Sequence, residues 1–189
     1  STLTQDFSLS AGRAALDVRC RLDWHEPLKI VKLSFPVQAE APRAAYSLPF
    51  GFLTKEANGE EEPSHEWTGL YGRDGAGLAL LNDGKYSFCA KENDLRMIVA
   101  RSAVYADHFG KRDDRVEYMD LGEQFFRYAL IPYSQDDPSA VVREAALLNR
   151  PPEAVMETHH GGTLPPMYEG IRLSADNVLA AALKTAEDG

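Results

Sequence analysis

Three kinds of side chain in this chain of 189 residues could do chemistry. The first is histidine. His159-His160-Gly161-Gly162 is the most metal-like string, but adjacent histidines point in different directions along an extended chain. A third ligand would have to come from elsewhere, such as His108 or a carboxylate; the plainer reading is a loop with solvated imidazoles. The second kind is the carboxylate. Glycosidases place two acids on either side of a scissile bond. Glu26, Asp83 and Glu123 stand among apolar or aromatic neighbours, and each also reads as a turn or rim residue. The third kind is the aromatic ring, whose apolar face can stack on the C–H face of a pyranose. Trp24, Trp67, Tyr71, Tyr86 and Tyr105 lie near strand ends, and Tyr71 and Tyr105, beside loops, are the better stacking candidates. No nucleophile elbow, P-loop or dinucleotide fingerprint occurs. Gly72, Gly75 and Gly77 are spaced for turns, with no helix behind them to cradle a phosphate.

The elements that must position these residues are mostly strands. From Ala14 to Trp24 the apolar residues Leu16, Val18, Cys20, Leu22 and Trp24 alternate with Asp17, Arg19, Arg21 and Asp23, which predicts a half-buried antiparallel strand. His25-Glu26-Pro27 breaks it. A second strand runs from Leu28 to Val37, and its phase shift after Ile30 suggests a bulge or cover on both faces. Pro36 belongs at an edge or a bulge. Tyr46–Leu53 reads as a strand interrupted by Pro49 and Gly51, Ala57–Ser64 as an acidic loop, and Glu66–Leu70 as a short strand. Gly77–Ser102 reads as a three-stranded meander, with turns at Asn82-Asp83-Gly84 and Asn93-Asp94. Ala106–Asp120 reads as a charged surface loop, and Leu121–Pro132 as a strong aromatic strand. One helix is predicted, capped by Asp137, with Pro138 at its first position and Pro151-Pro152 as its stop. Pro151–Pro166 reads as an irregular crossing. Ile171–Leu173 and Val178–Leu183 read as two more strands. The chain ends on Glu187-Asp188-Gly189, a turn signal with no returning strand, so a fragment cut inside its fold is expected.

Many short strands, turn signals and one helix predict a mainly β protein, an antiparallel β-sandwich. Hydrophobic residues make up 44% and charged residues 26%, and the net charge is −9. That balance argues against nucleic acid, which needs clustered Lys and Arg. Lys111-Arg112 and Arg115 are the nearest approach to a cluster, and Asp113 and Asp114 interrupt them. No apolar run is long enough to span a membrane as a helix. Cys20 and Cys89 fall on inward strand positions, as two buried thiols or as one disulfide. These features fit a cytoplasmic protein.

Several ordered segments resemble glycoside hydrolase family 38, the α-mannosidases of bacterial and cytosolic type, in their C-terminal β-domain. They are Leu22-Asp23-Trp24-His25-Glu26 with Leu28–Val37, Tyr46-Ser47-Leu48-Pro49-Phe50-Gly51, Trp67, Gly77 through Tyr86, Leu95-Arg96 with Arg101-Ser102, and Phe126–Pro132. The tail from Asn177 to Gly189 is also similar. In two places the chain departs from the family. Ala103 stands where a proline usually follows the Arg-Ser pair, and Pro151–Pro166 matches no motif.

The resemblance implies a sandwich of the galactose-mutarotase-like type from a parent enzyme that hydrolyses α-mannosides with retention, using zinc. The family's nucleophile and zinc ligands belong to an N-terminal barrel that no segment here resembles. No catalytic residue and no metal ligand is therefore expected in this chain, and its partner would be the barrel of the same polypeptide. If family C-terminal domains lend loop residues to the sugar site, then Asn82, Asp83, Tyr86 and Arg101 are the substrate-binding candidates. Each also has a structural reading, as turn former, strand residue or ion-pair partner. Two rivals follow from the same residues. One is a free-standing carbohydrate-binding module. The other is a mutarotase-like epimerase using a His and a carboxylate, such as His108 and Glu123. An apolar face left bare by missing strands would favour self-association.

Overall fold

The computed structural model describes residues 1–105, 116–175 and 178–187. Eleven strands and one helix lie within the first unit, Ser1–Pro151. In order they are β1 (Thr2–Leu9), β2 (Leu16–Trp24), β3 (Ile30–Pro36), β4 (Arg43–Leu48), β5 (Gly51–Glu56), β6 (Asn58–Pro63), β7 (Trp67–Tyr71), β8 (Ala76–Asn82), β9 (Ser87–Lys91), β10 (Asp94–Arg101), β11 (Gly122–Ser134) and α1 (Ser139–Asn149). A seven-stranded sheet has the order β1-β2-β11-β8-β7-β4-β5, and a four-stranded sheet the order β3-β10-β9-β6. The pairings are antiparallel. The fold is the expected β-sandwich with one short helix.

Sequence pattern accounts for the layers. The alternating face of β2 buries Val18, Cys20, Leu22 and Trp24 against Phe88, Leu95 and Met97 of the smaller sheet. The outer face of the larger sheet is covered as well. Trp67, Leu81, Ile131 and Tyr133 meet Val141 and Ala145 of α1 there. Strands with two buried faces need no alternation, so Leu78–Leu81 reads as a continuous apolar run and all five residues of β7 are buried. The helix begins one residue later than predicted. Asp137 Oδ1 accepts the Ser139 N–H at 3.0 Å, and hydrogen bonding from the Ser139 side chain and backbone holds the Asp137 carboxyl below the usual carboxylate range.

Several expectations need correction. Gly77–Ser102 is not a meander, because β8 lies in the larger sheet and β9 and β10 in the smaller one. The Asn82-Asp83-Gly84 turn therefore carries the chain from one sheet to the other. Within this stretch β9 and β10 form a hairpin, and its turn is Glu92-Asn93, with Glu92 at φ 51. Tyr46–Leu53 is two strands, β4 and β5, joined through Pro49-Phe50. Proline costs nothing in a turn where its nitrogen owes no ladder bond.

The acidic stretch Asn58–Pro63 is the edge strand β6 and not a loop. An edge needs no apolar alternation, and its charges discourage further pairing. Glu61 and Glu62 instead bind Lys32 at 2.6 Å and Lys55. The predicted bulge exists on the facing strand: Val99 is the extra residue between Ile98, opposite Lys32, and Ala100, opposite Val31. Pro36 sits on an edge strand, as expected. Gly77 is a strand residue. A Cβ there would lie 1.9 Å from the Leu70 carbonyl oxygen, so the backbones of β7 and β8 approach as only glycine allows.

Cys20 and Cys89 are buried free thiols in different sheets, so the disulfide alternative falls away. Burial pushes the Cys20 thiol up.

Residues Pro152–Gly189 form a separate unit. Its described residues carry no helix or strand, so Ile171–Leu173 and Val178–Leu183 are not strands. Their apolar residues are exposed. A strand exists only through a ladder partner, and apolar spacing alone supplies none.

Candidate functional site

The loops that follow β2, β4, β6, β8 and β10 gather at one end of the sandwich. The registers of β7 with β8, β8 with β11, β11 with β2, and β10 with β3 bring Trp67, Asn82, Gly122 and Arg101 towards this end. All four substrate-binding candidates lie at or beside it.

Asn82 is fully buried, and both ends of its amide are engaged. Its Oδ1 accepts the Gly84 N–H at 3.1 Å and the Lys85 N–H at 2.8 Å, a side-chain-closed turn. Its Nδ2 donates to the His65 carbonyl at 3.1 Å. The Asn82 carbonyl accepts from Asn149 Nδ2 at 2.9 Å. Asp83 is also anchored: Oδ1 accepts the Arg127 N–H and Oδ2 the Arg127 Nε–H, both at 2.8 Å. Arg127 reaches on to the Leu148 carbonyl at 3.0 Å. The Asn-Asp pair thus spends its hydrogen-bonding capacity inside the fold.

Tyr86 and Arg101 face solvent. Tyr86 is 54% exposed, and its ring lies near the His65 ring, with centroids 6.3 Å apart and planes 26° from parallel. Arg101 is exposed at the end of β10, and its backbone N–H donates to Asp120 Oδ2 at 2.8 Å.

Three residues that sequence reading did not single out belong to the same end. Lys85 donates to Gln124 Oε1 at 2.8 Å, and its ammonium lies 5.1 Å from the centre of the Phe126 ring. Burial lowers its pKa from the ordinary value. Gln124 Nε2 in turn donates to the Asp120 carbonyl at 2.7 Å, so Lys85, Gln124 and Asp120 link the β8–β9 turn to the backbone of Arg101. The third is His65. The available signal was position, since all three sit within two residues of a strand end.

The serine of the Arg-Ser pair is explained by folding. Ser102 is fully buried, accepts the Trp24 Nε1–H at 2.6 Å and donates to the Glu26 carbonyl at 2.6 Å. It fastens the loop between β2 and β3. Ser102→Ala strands the indole N–H and is expected to cost about 2 kcal/mol, read as a lower urea midpoint at unchanged slope. An unchanged midpoint would contradict this role.

The acids do not form a facing pair. Glu26 is bound by Lys29 at 2.7 Å, which holds its carboxyl below the usual range, and Glu123 pairs with Arg21. Asp83 is held by Arg127. His108 lies outside the described residues, as does most of Ala106–Asp120, so the His108–Glu123 pairing stays an expectation. Tyr71 is only 1% exposed and packs on Tyr133, so it is a core residue and not a stacking candidate. Trp24 and Trp67 are buried too, whereas Tyr105 is 65% exposed. Among the described residues no three His, Cys, Asp or Glu side chains converge as a metal cluster. His159 and His160 are exposed, and His160 Nδ1 lies 3.1 Å from the Gly161 carbonyl oxygen. Among the described residues this donor set does not fit a zinc site. Among the described residues no helix is long and apolar enough to cross a membrane.

A two-sheet β domain whose motif residues are absorbed into its loops matches a known class. Residues 1–109 match the profile of the glycosyl hydrolases family 38 C-terminal domain, and the chain belongs to that family. Among its relatives, alpha-mannosidase 2C1 of Mus musculus is 29% identical over 196 residues, covering 99% of this chain and 18% of that protein. Alpha-mannosidase 2C1 of Homo sapiens is 30% identical over 77% of this chain and 14% of its own length. Alpha-mannosidase G of Dictyostelium discoideum is 24% identical over 100% of this chain and 17% of its own length. The chain therefore spans less than a fifth of the length of these relatives.

Proposed function

We propose that this chain is the non-catalytic β-sandwich portion of a retaining, zinc-dependent α-mannosidase that hydrolyses terminal α-mannosides. The carrying observation is the full-length similarity to one short stretch of much longer α-mannosidases. The internal use of the likeliest-looking chemistry supports the same reading: Asn82, Asp83, Glu26 and Glu123 are tied to partners within the fold. On this reading the nucleophile and the zinc ligands belong to an N-terminal barrel of the same polypeptide. The loop end of the sandwich forms part of the sugar-site rim, where Asn82 and Asp83 shape the turn and Tyr86 and Arg101 face outward. The parent works in the cytoplasm, in mannose metabolism.

The test is hydrolysis of p-nitrophenyl α-mannoside by the purified chain, with and without added zinc. No turnover above the uncatalysed rate is expected. Measurable, protein-dependent release of nitrophenol would overturn the non-catalytic reading.

A further inference from the structure

We infer that His65 and Tyr86 form a preorganised ring platform for a pyranose at the loop end of the sandwich. The inference rests on the α-mannosidase reading for the class of sugar only; the platform itself rests on geometry. Both rings are exposed and lie within 26° of parallel, on two different connections, β6–β7 and β8–β9. Tyr86 keeps 54% of its surface open to solvent beside the exposed His65, so ring surface is left for a ligand.

Yet the backbone beneath them is fixed by buried polar groups. The His65 N–H donates to the Ser47 carbonyl at 3.0 Å, and its carbonyl accepts from Asn82 Nδ2. The Tyr86 carbonyl accepts the Ser64 N–H at 3.0 Å. Ser64 and Ser47 are buried, and their hydroxyls lie 3.3 Å apart. Ser47 Oγ also accepts the N–H groups of Glu66 at 2.8 Å and Trp67 at 2.9 Å. Ser64 Oγ donates to the Trp67 carbonyl at 2.6 Å. This network holds both rings on rigid supports. Rigid aromatic faces present area to a ligand at low entropic cost, and an apolar ring face suits the C–H face of a hexose. An open ledge without a surrounding pocket binds weakly, in the millimolar range.

The experiment titrates the chain with methyl α-mannopyranoside up to about 50 mM and follows the ring resonances of His65 and Tyr86 by NMR. Methyl α-galactopyranoside is titrated in parallel. Saturable shifts of both rings with the mannoside are expected. Tyr86→Ala and His65→Ala should each weaken that binding at least about fivefold while the melting midpoint stays near that of the unaltered chain. No saturable shift, or binding untouched by either substitution, overturns the platform and leaves the hydrolysis test of the proposed function standing. Saturation by the galactoside in place of the mannoside overturns the assigned sugar class and likewise leaves the hydrolysis test of the proposed function standing.

Discussion

Asn82→Ala is expected to destabilise the fold by about 3 kcal/mol. The substitution removes one acceptor that closes two backbone N–H groups and one donor that serves the His65 carbonyl, part-buried bonds made by a fully buried side chain. A single hydrogen bond contributes about 1 kcal/mol net, but a buried group left without a partner costs about 1–3 kcal/mol. Three groups lose their partner here, and partial entry of water tempers the sum. Asn82→Asp separates the two functions. It keeps the acceptor for Gly84 and Lys85 but turns an oxygen towards the His65 carbonyl and buries a carboxyl, so it should not restore stability. Denaturant unfolding of both variants measures this. If Asn82→Ala unfolds at the same midpoint as the unaltered chain, the side chain is spare and a role in holding ligand becomes the better account.

Gly77→Ala is expected to cost about 3 kcal/mol or more, for a steric reason. The added methyl would stand 1.9 Å from the Leu70 carbonyl oxygen and 2.6 Å from the Tyr71 Cα. Both are backbone atoms of a paired strand, so no side-chain rotation relieves the contact. The two strands would have to separate in the middle of the larger sheet, where β8 is bonded to β7 on one side and β11 on the other. Gly84→Ala is the control: nothing lies within 4 Å of its Cβ position, so that variant should unfold close to the unaltered midpoint. Equal midpoints for the two variants would refute the close-approach argument.

Much of this architecture was legible in the sequence, and the places where it was not have physical causes. The period-two pattern of β2 and the stops around α1 are local signals, and the structure follows them to within two residues. The crossing at Asn82 was misread because turn chemistry is also local. Asn-Asp-Gly reverses a chain equally well between neighbours in one sheet and between two sheets, and only the partners of the flanking strands tell them apart. The charged edge β6 carries no apolar rhythm, so it read as loop. The apolar spacing near Ile171 and Val178 read as strand, but spacing does not supply a ladder. At the site, exposure was the missing quantity: Tyr71 and Tyr86 look alike in sequence beside their turns, yet one is core and the other open to solvent. His65 had only its place beside two strand ends to mark it, since its ring matters only through a neighbour 21 positions away.

The crossing turn has a consequence for how the molecule comes apart. Through Asp83 and Arg127 it grips β11, through Asn149 it holds the last turn of the helix, and through Lys85 and Gln124 it reaches the loop behind β10. Helix, larger sheet and smaller sheet are thus knotted within four consecutive residues, 82–85. A layer cannot peel away without breaking bonds that also hold the other two, so the sandwich and its helix behave as one cooperative folding unit and not as a stack of independently opening parts.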